Sequence, residues 1–245
     1  MIDSAHSTAN DPSGLLILER FAGAGNFNQW LYDNIAPFCE GHVLEAGSGI
    51  GNITRLFLKN GFTVTASDLR QEYKAVLDGQ FGKEAHYNGS ILLDLENPVI
   101  ENRYWGSFDT VVALNVIEHV AHPETAIKTC IRLLKPNGKL VILVPAFQTL
   151  FNSFDKELGH YTRYNASTLK ALLEREPELS VMHTKYFNAM GIAGWWFNGT
   201  VLGKKLIPEN QLQWYNKLVP LFRLLDRVTL NRVGLSVIAA AYKKH

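Results

Sequence analysis

Short apolar runs alternate with amphipathic stretches along most of this chain. The runs predict strands at 42–46, 62–67, 86–91, 108–114, 138–144, 179–187 and 234–243. Between them, apolar residues recur with helical periodicity at 51–60, 71–81, 123–135 and 167–175. Two further amphipathic pieces, about 14–22 and 26–38, precede the first strand. Alternating strands and helices predict an α/β fold, a doubly wound and mostly parallel sheet with helices on both faces. Asn137-Gly138, after Leu133-Leu134-Lys135-Pro136, predicts a stop and turn ahead of the fifth strand. Asn165 and Ser167 are both candidate caps for the helix carrying Leu169, Leu172 and Leu173.

The pattern departs from a minimal layout between the sixth and seventh strands, where the segment 188–233 intervenes. It contains Gly191, Gly194 and the Trp195-Trp196 pair. Its second half places Leu212, Tyr215, Leu218, Val219, Phe222, Leu225 and Val228 on one helical face, with Pro220 expected to kink the helix. This predicts a helical lid or cap within a single domain spanning 1–245. Residues 1–13 are polar, read as a flexible tail, and lack the basic start and apolar centre of a signal peptide. No charge falls between Lys185 and Lys204, but the asparagines, glycines and threonine there argue against a spanning helix. A segment lying on a surface suits it better.

With 47% hydrophobic residues in 245, the chain can bury one sizeable core. Lys and Arg number 24 against 23 Asp and Glu, so nothing in the charge marks a nucleic-acid partner. Cys39 and Cys130 lie far apart without metal-ligand spacing, as expected of reduced thiols in a cytoplasmic protein.

Residues 43–51 read Val-Leu-Glu-Ala-Gly-Ser-Gly-Ile-Gly. An apolar strand that breaks into glycines before a helix lets a ligand reach the backbone. The helix expected from about Asn52 to Lys59 would turn free N–H groups toward that ligand. The spacing is G-x-G-x-G (Gly47, Gly49, Gly51), with Glu45 ahead of it, rather than the G-x-G-x-x-G of dinucleotide sites; a structural tight turn is the competing reading. Asp68 ends the second strand, where a carboxylate can accept from two ribose hydroxyls. In Leu93-Asp94-Leu95, Asp94 could take an adenine amino group and Leu95 its face, or Asp94 could simply cap the turn toward Pro98. The fourth strand runs into Asn115, Glu118 and His119 at the sheet edge where open parallel sheets bind ligands. Asn115 can offer its amide oxygen to an ammonium group.

The ordered set of E-x-G-x-G-x-G, Asp68, Asp94, Phe108-Asp109, Asn115-Val116-Ile117-Glu118-His119 and Leu134-Lys135-Pro136-Asn137-Gly138 resembles the class I S-adenosylmethionine-dependent methyltransferases, over residues 40 to 145. The resemblance implies strand order 3-2-1-4-5-7-6 with the last strand antiparallel, and S-adenosylmethionine as cofactor. It implies that Glu45, Gly47 and Gly49 border the methionine part, with Gly51 completing the turn. Asp68 would take the ribose, Asp94 and Leu95 the adenine, and Asn115 the methionine end. Asp155-x-x-Leu158-Gly159-His160-Tyr161-x-Arg163-Tyr164 and Gly194-Trp195-Trp196-x-Asn198-Gly199 also resemble a small-molecule subgroup whose acceptor the motifs do not name.

Methyl transfer is an in-line displacement, so alignment and exclusion of water dominate, with a base useful where the nucleophile carries a proton. His160, beside Asp155, Tyr161 and Arg163, is the first candidate base and His119 the second. Glu118, His119, His122 and His160 are metal-ligand types, but Asn115 stands where an E-x-x-E-H cluster has its first acid, so no metal is expected. Trp195, Trp196, Phe197, Trp214, Tyr215 and Phe222 in the insert either pack it onto the sheet or point to a small hydrophobic or aromatic acceptor, methylated at oxygen, with nitrogen and carbon open. Membrane-surface contact is not expected, and a homodimer through the insert stays open. Two rivals remain: an NAD-type oxidoreductase, disfavoured by the glycine spacing, and a methyltransferase-like binding subunit without catalysis.

Overall fold

The computed structural model describes residues 12–206 and 208–245. The tail expected at 1–13 lies outside the described residues as far as residue 11, and Pro12 already opens a helix. Seven strands form one sheet: β1 (His42–Ala46), β2 (Thr63–Asp68), β3 (Tyr87–Leu92), β4 (Phe108–Leu114), β5 (Leu134–Pro145), β6 (Leu179–Phe187) and β7 (Ser236–Lys243). Their order is β3-β2-β1-β4-β5-β7-β6, with β7 antiparallel to both neighbours and the other pairings parallel. The helices are α1 (Pro12–Ala22), α2 (Gly25–Ile35), α3 (Thr54–Lys59), α4 (Gln71–Phe81), α5 (Pro123–Leu133), α6 (Ser153–Glu157), α7 (Ala166–Glu174), α8 (Gly191–Trp195) and α9 (Glu209–Val228).

Side chains alternate across the strands, and both faces are covered. Leu44, Val111, Ala113, Leu140 and Ile142 share a core with Ile127 and Ile131 of α5 and Leu169 and Leu173 of α7. Val43, Val64, Val112, Val141 and Leu143 join Trp30 and Ile35 of α2 and Val219 and Phe222 of α9 on the opposite face. Burial on both sides is why these strands read as unbroken apolar runs. In β7, Ala239, Ala240 and Ala241 are fully buried, small residues that leave room on both sides for the facing helices.

Three expectations need correcting. The stop at Asn137-Gly138 is not a turn before β5 but a bulge within it. Leu134 already pairs with Phe108, the register resumes at Thr110 with Lys139, and Asn137 takes φ 64°. The helix after the glycines begins only at Thr54, because residues 50–53 are turn. The insert is not a single lid. Its long helix α9 lies against α2 over one sheet face, whereas α8 and the π-helical turn Trp196–Val201 bond the loop after β5 at the sheet's carboxyl edge.

Pro220 sits inside α9, which runs unbroken through it. Proline offers no N–H, so the Asn216 carbonyl one turn earlier loses its helical donor. Asn26 Nδ2 donates to that carbonyl at 3.1 Å, and Asn216 Oδ1 accepts from Phe27 N at 2.9 Å, joining α2 to α9 at the vacant position. Buried Asp226 accepts from the backbone N–H groups of Asn188 (2.7 Å) and Ala189 (2.8 Å), which ties the far end of β6 to the same helix. Of the two candidate caps for α7, Asn165 takes the role, in a capping box with Thr168.

Candidate active site

The carboxyl ends of β1, β2 and β4 converge on one edge of the sheet, so the residues that end them are neighbours despite their separation in sequence. At the end of β1 the chain turns through Gly47, Gly49 and Gly51, at φ 72°, 54° and 86°. A Cβ at Gly47 would run into Val116, and one at Gly51 into Phe81, so side chains are excluded on both steric and conformational grounds. A Cβ at Gly49 would lie 2.9 Å from Leu18 Cδ1 of α1. Asn52 Nδ2 also donates to the Leu18 carbonyl at 3.0 Å. Helix α1 therefore covers the glycine elbow. The sequence showed this helix only as an amphipathic segment, and nothing in its pattern assigned it to the site.

Ser48 fixes the elbow from inside. Its N–H donates to the Ser67 carbonyl (2.7 Å), its hydroxyl donates to the Glu45 carbonyl (2.9 Å), and the Ser67 N–H donates to that hydroxyl (3.1 Å). Glu45 is buried, accepts from Thr54 Oγ1 at the start of α3, and is pushed up to about 7 by desolvation, against the pull of that bond. Asp68 ends β2, with Oδ2 accepting from Gly49 N (3.0 Å) and Oδ1 from Arg70 N (3.1 Å). Burial raises its pKa, while those N–H donors oppose the rise. Each oxygen has a second lone pair, so the carboxylate can brace the elbow and still accept from a diol. At the end of β4, Asn115 is exposed and held at φ 54°, an uncommon backbone conformation for a residue with a side chain. Glu45, the three glycines, Asp68 and Asn115 thus frame a backbone-lined cradle with carboxylate and amide acceptors, which fits a ligand carrying a ribose and an ammonium.

The adenine residues are placed differently. Asp94 Oδ1 accepts from Glu96 N at 2.8 Å, the turn-capping alternative. Leu95 is buried within the α5-side core, and Thr129 Oγ1 of α5 donates to its carbonyl at 2.7 Å. Only 6% of Leu95 is accessible, so its side chain packs largely into that core.

A second polar group lies beyond β4 and β5. Asp155, fully buried in α6, receives His160 Nδ1 (2.8 Å) and Arg163 Nε (2.7 Å) on Oδ1 and the Asn152 N–H (2.9 Å) on Oδ2. Burial acts to raise its pKa, but the bonds from His160 and Arg163 hold it below the usual carboxylate value. With Nδ1–H donated to Asp155, His160 would keep Nε2 as an acceptor (a tautomer assigned from the bonding). The His119 and His160 rings meet edge to face at 4.7 Å. His119 is exposed, whereas only 5% of the His160 side chain is accessible. The candidates are therefore one pair, with His160 braced behind His119.

Glu118 completes the group. It is fully buried, neither carboxylate oxygen has a hydrogen-bond partner, and desolvation lifts its pKa to about 8. One ligand atom from each of Glu118, His119 and His160 falls within a 4.8 Å span, so the donor set suits a cation geometrically, although two members come from one short 3-10 turn. His122 is not part of that set. The insert holds this region in place. Ser153 Oγ bonds the Gly199 carbonyl at 2.8 Å, Asn152 Nδ2 approaches the Trp195 carbonyl at 3.3 Å, and the Arg163 guanidinium lies 4.8 Å from the Trp195 ring centre.

A family model described as a methyltransferase domain matches residues 7–176. A ubiquinone biosynthesis O-methyltransferase of Xanthomonas euvesicatoria pv. vesicatoria is 36% identical over 105 residues, 41% of this chain and 41% of that protein. The chain thus spans about two fifths of the length of the first curated relatives it matches. An uncharacterized methyltransferase of Staphylococcus carnosus is 26% identical over 77% of this chain and 83% of its own length. Among solved structures, a chain in complex with the Haloferax volcanii Trm112 methyltransferase activator superposes with TM-score 0.63 at 15% identity, covering 97% of this chain and all (100%) of that one. Phosphoethanolamine N-methyltransferase 2 of Haemonchus contortus gives 0.62 at 19% identity, over 97% and 61%. At such identities these structures bear on the fold alone.

Proposed function

Because the chain belongs to the methyltransferase domain family, we propose that it transfers the methyl group of S-adenosylmethionine to a small hydrophobic acceptor, at oxygen. The observation that carries the reading is the convergence of the glycine elbow, Asp68 and Asn115 at the ends of β1, β2 and β4. When bound, the cofactor supplies a methyl carbon already activated by a sulfonium. The chain's own work is to bind, orient and exclude water. Asp68 accepts from the ribose, Asn115 and Glu45 meet the ammonium end, and α1 covers the elbow. The His119–His160 pair takes the proton of the acceptor hydroxyl, with Asp155 fixing the inner ring and stabilising positive charge on it. The aromatic residues of α8 and the π-helical turn form the apolar wall on that side. The similarity to ubiquinone biosynthesis O-methyltransferases favours oxygen over nitrogen or carbon.

Replacing Asp68 with alanine should weaken S-adenosylhomocysteine binding by about 1–3 kcal/mol, the value of hydrogen bonds to a charged group. Calorimetric titration of both proteins measures it, and equal affinities would remove Asp68 from the ribose. For the base, His119→Asn and His160→Asn should each lower kcat on a phenolic acceptor by about 100-fold or more while leaving cofactor affinity near wild type. Steady-state assays on a panel of phenols, catechols and amines test this. Undiminished turnover in both variants, or methylation of amines alone, would overturn the assignment.

A further inference from the structure

We propose that the outer face of α9 docks this protein onto an anionic phospholipid surface. The helix has two apolar faces, and only one is used. Leu212, Val219 and Phe222 turn inward and are buried. On the opposite side, Trp214, Leu218, Leu221, Leu224 and Val228 recur every three or four residues and remain exposed, with Trp214 at 65%, Leu221 at 60% and Val228 at 71%. Sequence periodicity had assigned Leu218 and Val228 to the inner face. The structure gives them to solvent, and with Leu221 and Leu224 they make a stripe running most of the helix. Single exposed leucines are ordinary, but a continuous stripe is not.

Charge selects the occupant. Lys217, Arg227 and Arg232 are exposed beside the stripe and make no ion pair among the described residues, while Asp226 is buried and engaged with the β6 end. Lys217 also lies 5.0 Å from the Trp214 ring centre, joining a cation to the aromatic residue at the head of the stripe. A second copy of the chain packed across this stripe would set like charges against like. A bilayer with anionic headgroups takes the leucines into its acyl boundary and pairs the basic rim with phosphates. Among the described residues no helix is long and apolar enough to cross a membrane, and the proposed contact is a peripheral one. The inference does not depend on methyl transfer, though a surface-bound enzyme would meet a lipid-soluble acceptor directly.

Flotation of the full chain with phosphatidylcholine vesicles, and with vesicles containing equal parts phosphatidylglycerol, tests the proposal. Binding is expected only to the anionic vesicles and should weaken as salt rises. Leu221→Glu should reduce it roughly tenfold or more, and the pair Lys217→Glu with Arg227→Glu should abolish it at physiological salt. Circular dichroism and S-adenosylhomocysteine affinity should stay at wild-type values in these variants, separating lost docking from lost folding. No flotation with anionic vesicles, equal binding to both vesicle types, or binding undiminished in Leu221→Glu would overturn the proposal. So would a concentration-dependent dimer in sedimentation velocity that Leu221→Glu dissolves.

Discussion

Replacing Asp155 with alanine is expected to destabilise the protein by about 3–5 kcal/mol, the cost of breaking a buried ion pair from one side. Arg163 would be left with its side chain 1% accessible, near the Ala146 carbonyl, the Trp195 ring and the buried Glu118 but without its carboxylate hydrogen bond. The Asn152 N–H would lose its acceptor, and with it the capping box that starts α6. Chemical denaturation near neutral pH measures the loss. A change under about 1 kcal/mol, the range of exposed pairs, would mean that Asp155 is not buried with its partners. Combining Asp155→Asn with Arg163→Met should restore much of the stability, because no unpaired charge then remains inside. The pH dependence has a definite sign. The Asp155 pKa is depressed in the fold, so its contribution is present above the unfolded value of about 3.9 and is lost as pH falls below it.

Glu118→Gln is expected to act in the opposite direction. Burial lifts Glu118 to about 8 against the pull of the Arg163 charge, so between the unfolded value near 4.3 and about 8 the folded protein holds a proton that the unfolded chain has released. Stability that is full below that window drains away as pH rises through it. Glutamine carries no such proton, so the variant should match wild type near pH 4.5 and exceed it by about 2–4 kcal/mol at pH 8. Melting temperatures of both proteins across that range test this. Parallel curves would show that Glu118 is ionised in the fold, with a counter-charge beside it. Arg163 provides one, and a divalent cation held with His119 and His160 would add another, which inductively coupled plasma analysis of the purified protein would detect.

The strand positions were legible because sheets buried on both faces leave apolar runs that no side of the chain interrupts, as in β4 and in the second half of β5. The start of β5 was not, because a bulge uses the same Pro-Asn-Gly residues as a turn and only pairing with Phe108 distinguishes them. The glycine elbow and Asp68 could be found because each stands at a strand end, where residue type and position together limit the chemistry. The packing of Leu95 into the α5-side core was not legible, because strand-end apolar residues face core or ligand according to a local twist that spacing does not encode. The coupling of His119 to His160 was also beyond the sequence. It depends on the 148–164 loop returning to the end of β4, where the Tyr161 N–H donates to the Glu118 carbonyl at 2.7 Å, a contact between segments distant in sequence. The two faces of α9 show the same limit, since periodicity reports an apolar face but not whether anything covers it.

The central claim is that the elbow around Ser48 receives an aminoacyl sulfonium and its ribose rather than a pyrophosphate. Isothermal titration of the wild-type protein with S-adenosylhomocysteine, and separately with NADH, tests it most directly. Saturable one-to-one binding of S-adenosylhomocysteine and none of NADH is predicted. Binding of NADH with no heat from S-adenosylhomocysteine would contradict the account.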